Sequence, residues 1–210
     1  MKPPAPRNKI LRYFITYLAA IVCSVLTKIK VEGKENLPLS GPFILAPNHI
    51  DHSDPVAIAY AIKKPITFLM AEDLEDVPSI QRIVPCSYGV VLVNRKKPRL
   101  STFKTMNKQI KAGEIVCIFP EGTSLSPTLI EGKNGAAMFA SKHNIPVIPT
   151  AIKGTNFILS SLKRFKRQSI EVVFGKPIKE TARFANDNES LTKEIMKSIA
   201  SMFNEPEHLY

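Results

Sequence analysis

Short apolar segments alternate with helix-forming segments along most of this chain. The strand candidates are residues 43–46, 66–70, 90–93, 115–119, 147–152 and 170–174. The helix candidates are residues 55–62, 98–112, 135–143 and 190–203, followed by a tail at 204–210 that we expect to be frayed. Because parallel strands need long connections, usually helices, this order predicts an α/β fold. We expect a mostly parallel sheet flanked by helices, with functional loops at the ends of the strands.

The N-terminal residues 10–27 are almost wholly apolar and have basic residues on both sides. Residues 13–26, which carry no charge, would span about 21 Å as a helix, whereas the hydrocarbon core of a bilayer is about 30 Å thick. No convincing secretory cleavage site follows them. We therefore divide the chain into a membrane-associating helix within residues 1–34, lying among anionic lipid headgroups, and a domain at 35–210. A membrane span, a buried core helix and a signal peptide are the alternatives.

The formal net charge of +11 at pH 7 indicates a polyanionic partner, namely nucleic acid, an anionic membrane or a phosphorylated substrate. The alternative is a basic surface that only keeps the protein soluble, which would give the same net charge. The absence of Trp, an aromatic content of 8% and the lack of a recognisable nucleic-acid-binding motif disfavour nucleic acid. The three cysteines form neither a disulfide framework nor a paired metal motif, which is typical of a reducing compartment.

A histidine and an aspartate stand five residues apart in Asn-His-Ile-Asp-His-Ser-Asp-Pro, residues 48–55. On one continuous helix, His49 and Asp54 would point about 140° apart. Asp54 followed by Pro55 instead predicts a helix start, with Asp54 as the N-cap and His49 in the loop before it. A carboxylate that fixes the tautomer of a histidine makes it a general base near neutral pH. His49 with Asp54 is therefore a candidate base, and a satisfied polar pair is the alternative.

A metal site is a second interpretation of the same segment. Four potential ligands fall within six residues, namely His49, Asp51, His52 and Asp54, and such a set suits a metal-dependent hydrolase. The chain has only two further histidines, and no second cluster of ligands accompanies them. We therefore expect no metal.

Two further motifs directly follow predicted strands. Arg95 ends Gly-Val-Val-Leu-Val-Asn-Arg, and a guanidinium at the functional edge of a sheet can bind phosphate through two parallel hydrogen bonds. Glu121 and Gly122, in Phe-Pro-Glu-Gly-Thr-Ser, could present a carboxylate and backbone N–H groups to a ligand. A surface arginine and an ordinary turn are the alternatives. Residues 145–151, Ile-Pro-Val-Ile-Pro-Thr-Ala, form an apolar wall or a plain core strand.

In this order the four motifs resemble those of the 1-acylglycerol-3-phosphate (lysophosphatidic acid) acyltransferase family and related glycerolipid acyltransferases. The family pattern is Asn-His-x-x-x-x-Asp, then Gly…Arg, then Phe-Pro-Glu-Gly-Thr, then an apolar Ile-Pro motif. The resemblance covers residues 43–152. It implies a membrane-associated enzyme of phospholipid biosynthesis, at the cytoplasmic face of the inner or plasma membrane. This enzyme would transfer a fatty acyl group from acyl-CoA or acyl-carrier protein to the free hydroxyl of lysophosphatidic acid, giving phosphatidic acid.

The resemblance also implies a role for each motif residue. His49 would remove the proton of the acceptor hydroxyl, Asp54 would orient His49, and Arg95 would bind the acceptor phosphate. The remaining substrate-binding residues would be Asn48, Glu121, Gly122 and Thr123. The hydroxyl would attack the acyl thioester directly, with backbone donors stabilising the tetrahedral charge. Neither a covalent acyl-enzyme nor a metal or cofactor would then be needed.

Two positions depart from the family pattern. Asn94 stands where the family often has Asp, and Ser124 stands where many members have Arg. Because that arginine is a potential phosphate ligand, its loss leaves the acceptor open, although Lys133 could replace it. The alternatives are the same chemistry on another lysolipid or on glycerol 3-phosphate, a metal-dependent hydrolase, and a non-catalytic lipid-binding protein.

Overall fold

The computed structural model of the chain describes residue 6 and residues 8–72, 87–122, 128–155 and 167–203. The predicted frayed tail, 204–210, lies outside these ranges. The strands are β1 (Thr27–Glu32), β2 (Ile44–Pro47), β3 (Ile66–Ala71), β4 (Val91–Val93), β5 (Ile115–Cys117), β6 (Val147–Lys153) and β7 (Gln168–Phe174). The α-helices are α1 (Lys9–Leu26), α2 (Asp54–Ile62), α3 (Leu100–Lys111), α4 (Gly135–His143) and α5 (Asn188–Ser201).

The described strands form one sheet in the order β1-β7-β6-β2-β5-β3-β4. The strands from β6 to β4 in this order run parallel to one another. Strand β7 pairs antiparallel with β6, and β1 pairs parallel with β7, so these two run in the opposite direction. The predicted α/β class with a mostly parallel sheet is confirmed. The amino-terminal ends of β1 and β7 therefore lie at the edge where the parallel strands end, which we call the carboxyl edge.

Apolar side chains cover both faces of the sheet. In β2, Ile44 packs with residues of α3, α4 and α5 on one face, whereas Leu45 packs with residues of α2 on the other. A parallel strand that is buried on both faces reads as a continuous apolar run, and this is why the strand candidates were visible in the sequence. The candidate site therefore follows a strand, β2, that is buried on both faces.

Strand β1 is a difference from the sequence analysis, which placed residues 27–32 in the N-terminal segment. Lys28 and Lys30 point outward, whereas Ile29 and Val31, which alternate with them, pack against the core. This alternation has the period of a strand, but flanking lysines are also typical of a membrane helix. Pairing with β7, which lies far away in sequence, decides between the two. The N-terminal helix therefore ends at Leu26, and the sheet begins at the next residue.

A buried arginine attaches α1 to the sheet. The side chain of Arg12 is 2% exposed; its Nη1 lies 3.1 Å from Glu114 Oε2 and its Nη2 donates to Thr67 Oγ1 at 3.3 Å. Its guanidinium also lies over the ring of Tyr88, 5.1 Å from the centroid. Because these partners come from the amino-terminal side of β3 and β5, α1 crosses the sheet from that side to the carboxyl edge. One face of α1 is thus fixed to the domain.

The opposite face of α1 is apolar and exposed. Its large side chains are Ile10, Leu11, Phe14, Tyr17, Leu18, Ile21, Val22, Val25 and Leu26. By length and composition alone, α1 could also cross a membrane. A contiguous apolar surface of this kind on a helix is typical of a membrane or protein contact. We refer to these residues as the apolar face of α1.

Candidate active site

The loop that carries His49 begins at Asn48, directly after β2. Both polar atoms of the Asn48 side chain bond to the main chain of Ile152 in β6: Nδ2 donates to the carbonyl at 3.0 Å, and Oδ1 accepts from the N–H at 2.6 Å. Asn48 is also buried. The amide of Asn48 therefore anchors the loop to the sheet, and the substrate contact that the resemblance implied stays a prediction.

His49 and Asp54 are in direct contact, as the motif predicted. Nδ1 of His49 lies 2.8 Å from Oδ2 of Asp54, and Asp54 is completely buried. The same oxygen accepts the backbone N–H groups of Ile50 at 2.8 Å and Asp51 at 2.9 Å. The other oxygen, Oδ1, accepts the hydroxyl of Thr155. Because a carboxylate with these donors acts only as an acceptor, Nδ1 carries the proton and Nε2 keeps a lone pair for a substrate.

The start of α2 differs in one detail from the predicted capping. The helix begins at Asp54 and its N-cap is Ser53, whose carbonyl accepts the N–H groups of Val56 at 2.9 Å and Ala57 at 3.2 Å. Pro55 has no N–H group to satisfy. The carboxylate of Asp54 is therefore not needed by the first turn, and it turns back to hold the loop of His49.

Glu121 joins the histidine loop to the segment after β5. Its Oε1 accepts the backbone N–H of His49 at 2.8 Å, and its Oε2 accepts that of Ile130 at 3.3 Å. Burial raises the pKa of its carboxyl, while the two N–H groups act in the opposite direction. The ring of Phe119 stacks on the imidazole of His49 with centroids 4.0 Å apart. In the structure Glu121 is buried and holds the backbone of His49, and its expected contact with substrate stays a prediction.

Two cationic side chains converge on Gly122. Nη1 of Arg95 donates to the Gly122 carbonyl at 2.9 Å. The side chain of Lys133 packs over the same residue, and a Cβ built on Gly122 would lie 2.9 Å from its Cδ and 3.1 Å from its Nζ. Gly122 also has a positive φ of 65°, a backbone conformation that favours glycine. We call Arg95 and Lys133 the cationic pair. Thr123 and Ser124 lie outside the described residues.

The metal interpretation finds no cluster in the described part of the chain. There, no group of three or more His, Cys, Asp or Glu side chains is arranged to hold a metal ion. Asp54 is engaged by the donors above, and Asp51 Oδ1 accepts the N–H and the hydroxyl of Ser53. These carboxylates therefore organise the loop.

Thr155 is the site residue that sequence reasoning missed. It is buried and lies 101 residues from Asp54 in the chain. Its only local signal is its position just after β6, at the carboxyl edge. A single threonine near a strand end carries no motif, so only the fold reveals its bond to Asp54.

A family model described as Acyltransferase matches residues 28–153. The chain belongs to the acyltransferase family. The match contains His49, Asp54, Arg95 and Glu121 and ends just before Thr155, so the family expected from the four motifs is confirmed. The contacts of Asp54, Glu121 and Phe119 with His49 therefore belong to an acyl-transfer enzyme.

This acyltransferase is similar to several curated proteins. It is 30% identical over 167 residues to the 1-acyl-sn-glycerol-3-phosphate acyltransferase of Bacillus subtilis (strain 168), covering 79% of this chain and 81% of that protein. It is 26% identical over 194 residues to a protein of Mycoplasma pneumoniae named probable 1-acyl-sn-glycerol-3-phosphate acyltransferase, covering 84% and 71%. The crystal structure of the lysophosphatidic acid acyltransferase PlsC from Thermotoga maritima has the same fold, with a TM-score of 0.72 at 23% identity over 92% of this chain and 78% of that one.

Replacing Glu121 with glutamine is expected to lower kcat about tenfold, because one of two buried N–H groups then faces an NH₂ group and such a mismatch costs about 1–3 kcal/mol. The carboxylate that is replaced holds the backbone of His49, so KM for the acceptor should change little. Steady-state kinetics of acyl transfer and thermal unfolding would be measured on the same preparations. The matched control is Glu131→Gln, an exposed glutamate in the same segment. A raised KM with an unchanged kcat would show instead that Glu121 contacts substrate.

Proposed function

We propose that this acyltransferase moves a fatty acyl group from acyl-CoA or acyl-carrier protein to the free hydroxyl of lysophosphatidic acid, giving phosphatidic acid. The names of the curated relatives support this acceptor. The observation that carries the proposal is the cationic pair next to the candidate base. Arginine and lysine are both phosphate-binding side chains, and both of these contact Gly122.

The spacing between the base and the cationic pair suits this acceptor. Glu121 holds the backbone of His49, and the next residue, Gly122, accepts the bond from Arg95. Consecutive Cα atoms are about 3.8 Å apart. The residue that holds the candidate base and the residue that holds Arg95 are therefore neighbours in the chain. In lysophosphatidic acid the free hydroxyl and the phosphate ester are on neighbouring carbons of glycerol. An acceptor bound through its phosphate would therefore bring its hydroxyl towards Nε2 of His49.

The proposed reaction uses no group beyond the two substrates and the protein. Nε2 of His49 takes the proton of the hydroxyl as the oxygen attacks the thioester carbonyl. Asp54, which accepts the Nδ1 proton, stabilises the imidazolium that results. When the tetrahedral intermediate collapses, the carbon–sulfur bond breaks and the leaving thiolate takes the proton from His49. The products are phosphatidic acid and the free thiol of the carrier.

The apolar helix α1 and the membrane-lipid acyltransferase relatives support association with a membrane. We place the protein at the cytoplasmic face of the inner or plasma membrane, since its net charge of +11 favours an anionic surface and its three cysteines suit a reducing compartment. Because Arg12 fixes one face of α1 to the sheet, the helix is proposed to lie in the interface with its apolar face in the lipid.

An acceptor panel tests this function. Labelled acyl-CoA or acyl-carrier protein would be incubated with lysophosphatidic acid, lysophosphatidylcholine, monoacylglycerol and glycerol 3-phosphate. We expect the highest kcat/KM with lysophosphatidic acid. A charge-assisted hydrogen bond contributes about 1.5–3 kcal/mol, so Arg95→Met and Lys133→Met should each lower that kcat/KM roughly 10- to 100-fold, mainly through KM. The rate with monoacylglycerol, which has no phosphate, should change little.

The controls separate the alternatives. Lys142→Met removes an exposed lysine from α4 and should leave the kinetics at the wild-type level. A preference for lysophosphatidylcholine or monoacylglycerol would contradict the proposal that the acceptor is lysophosphatidic acid. A preference for glycerol 3-phosphate would make that molecule the acceptor. Activity should survive chelation with EDTA, whereas a metal-dependent hydrolase would lose it and regain it on adding zinc. The absence of any acyl transfer would favour a lipid-binding protein.

A further inference from the structure

A second cationic site lies at the C-terminal end of α1. An open groove of about 450 Å³ is bordered there by three basic and three hydroxyl side chains: Lys28, Lys30, Arg167, Ser24, Thr27 and Ser169. It is formed where α1, β1 and the start of β7 meet, together with Tyr60 of α2. Neither the motifs nor the proposed reaction uses any of these residues. The groove thus combines positive charge with hydroxyl groups, which is the chemistry that binds a phosphate.

The charges around the groove do not cancel. Arg167 donates to the carbonyls of Ser24 and Thr27, which are neutral acceptors at the end of α1. Within the described ranges Lys28 forms no ion pair. Lys30 is different, because it pairs with Glu32 and lies 3.8 Å from Glu171. It therefore contributes less positive charge to the groove.

A further cation stands beside the groove. The ammonium of Lys63 lies over the ring of Tyr60, 5.7 Å from its centroid. Lys28, Lys63 and Arg167 therefore leave a positive potential at this end of α1. An anionic ligand in the groove would meet charges that no carboxylate among the described residues pairs with.

The groove continues directly into the apolar face of α1. Ile21 and Val25, in the last two turns, are 61% and 65% exposed, and the adjoining Ser24 lines the groove. A ligand with an anionic head and apolar chains fits this junction, because the head and the chains would each meet a matching surface. A free inorganic anion would leave the apolar surface in water, and nucleic acid has no apolar chain to cover it. The surface therefore favours a phospholipid.

The groove is separate from the cationic pair but lies at the same edge of the sheet. Four strand spacings separate β1 from β5, which is about 19 Å at 4.8 Å per strand. Thr27 and Gln168 begin their strands at the carboxyl edge, where the loop of His49 also lies. A lipid bound in the groove would therefore bring the active-site edge to the membrane.

We propose that the groove binds the phosphate headgroup of an anionic bilayer phospholipid, whose acyl chains lie along the apolar face of α1. Lys28 and Arg167 contact the phosphate, and the hydroxyl groups complete its hydrogen bonds. This lipid is not a substrate. It sets the orientation of the enzyme on the bilayer, so that the acceptor reaches His49 from the membrane. The inference rests on the membrane location in the proposed function and is independent of which acceptor the enzyme uses.

Binding to vesicles of defined composition tests this site. Wild-type protein would be co-sedimented with phosphatidylcholine vesicles with and without phosphatidylglycerol. Near an anionic surface each basic residue strengthens binding about fivefold, so Lys28→Gln should weaken binding to phosphatidylglycerol vesicles about fivefold and Lys28→Gln with Arg167→Gln about 25-fold. The control variant Lys108→Gln with Lys142→Gln has the same net charge as this double variant, but its changes lie on α3 and α4. It should lose less than twofold.

Each other outcome overturns the site. Equal losses in the two double variants would show a general charge effect, and equal binding of wild-type protein to both kinds of vesicle would show that headgroup charge is not recognised. Displacement from the vesicles by inorganic phosphate, at an ionic strength where chloride has no effect, would indicate a free-anion site. If Arg167→Gln unfolds the protein, the single variant Lys28→Gln still tests the site through its expected fivefold loss of binding. Acyl transfer to lysophosphatidic acid in neutral detergent micelles should be unchanged in Lys28→Gln, so failure of the lipid site and failure of the proposed function are distinguishable.

Discussion

Replacing His49 with alanine is expected to lower kcat about 10²- to 10⁴-fold, which is the usual contribution of a general base. Asp54 at Nδ1 and the stacked ring of Phe119 hold the imidazole, and Glu121 holds the backbone N–H of the same residue. Nε2 has no hydrogen-bond partner in the described part of the chain, so it is the position left for the acceptor hydroxyl. Because we propose that the cationic pair binds the phosphate, KM for lysophosphatidic acid should change little. The measurement is steady-state transfer of a labelled acyl group at saturating donor.

His52→Ala is the matched control for this variant. It removes the same side chain from the same loop, and the hydrogen bonds that hold the loop do not use it. We expect near wild-type kcat for His52→Ala. Equal loss in both variants would favour a metal bound by the loop, and a wild-type rate for His49→Ala would eliminate the histidine as the base.

Asp54→Asn is expected to lower kcat by up to about a thousandfold, because attraction between a carboxylate and an imidazolium reaches about 4 kcal/mol at an effective dielectric constant of 20 and each 1.4 kcal/mol is about tenfold in rate. Asparagine can keep its oxygen towards Nδ1 of His49 and the two N–H groups, while its NH₂ group faces Thr155. The hydroxyl of Thr155 can then act as an acceptor instead of a donor. The fold of the loop should therefore survive, and the loss should come from the missing charge.

The test for Asp54 combines kinetics with stability. Thermal unfolding of Asp54→Asn should stay close to that of the wild type, while kcat falls and KM for the acceptor is retained. Asp51→Asn, in the same loop, is the control and should keep most of the activity, since among the described residues the side chain of Asp51 bonds to Ser53 and not to His49. An Asp54→Asn enzyme with wild-type kcat would show that Asp54 supports only the fold.

The fold gives two motif residues contacts that their motifs do not predict, and the reason is the same for both. Asn48 and Glu121 stand in motifs that suggested substrate contacts, but their side chains bond to the backbone of Ile152, His49 and Ile130. A motif shows that a polar residue belongs to a site, but it does not show which way the side chain points. Burial and the partner decide that, and both come from segments distant in the chain.

Local pattern alone determined the α/β class, the contact between His49 and Asp54, and the four motifs in their order. These features depend on residues within a few positions of one another, where backbone geometry limits the possibilities. The tertiary structure alone decided that β1 joins the sheet beside β7, that Thr155 holds Asp54, and that Arg95 and Lys133 meet over Gly122. These contacts join segments far apart in sequence, so they exist only once the strands have paired and brought their ends to one edge.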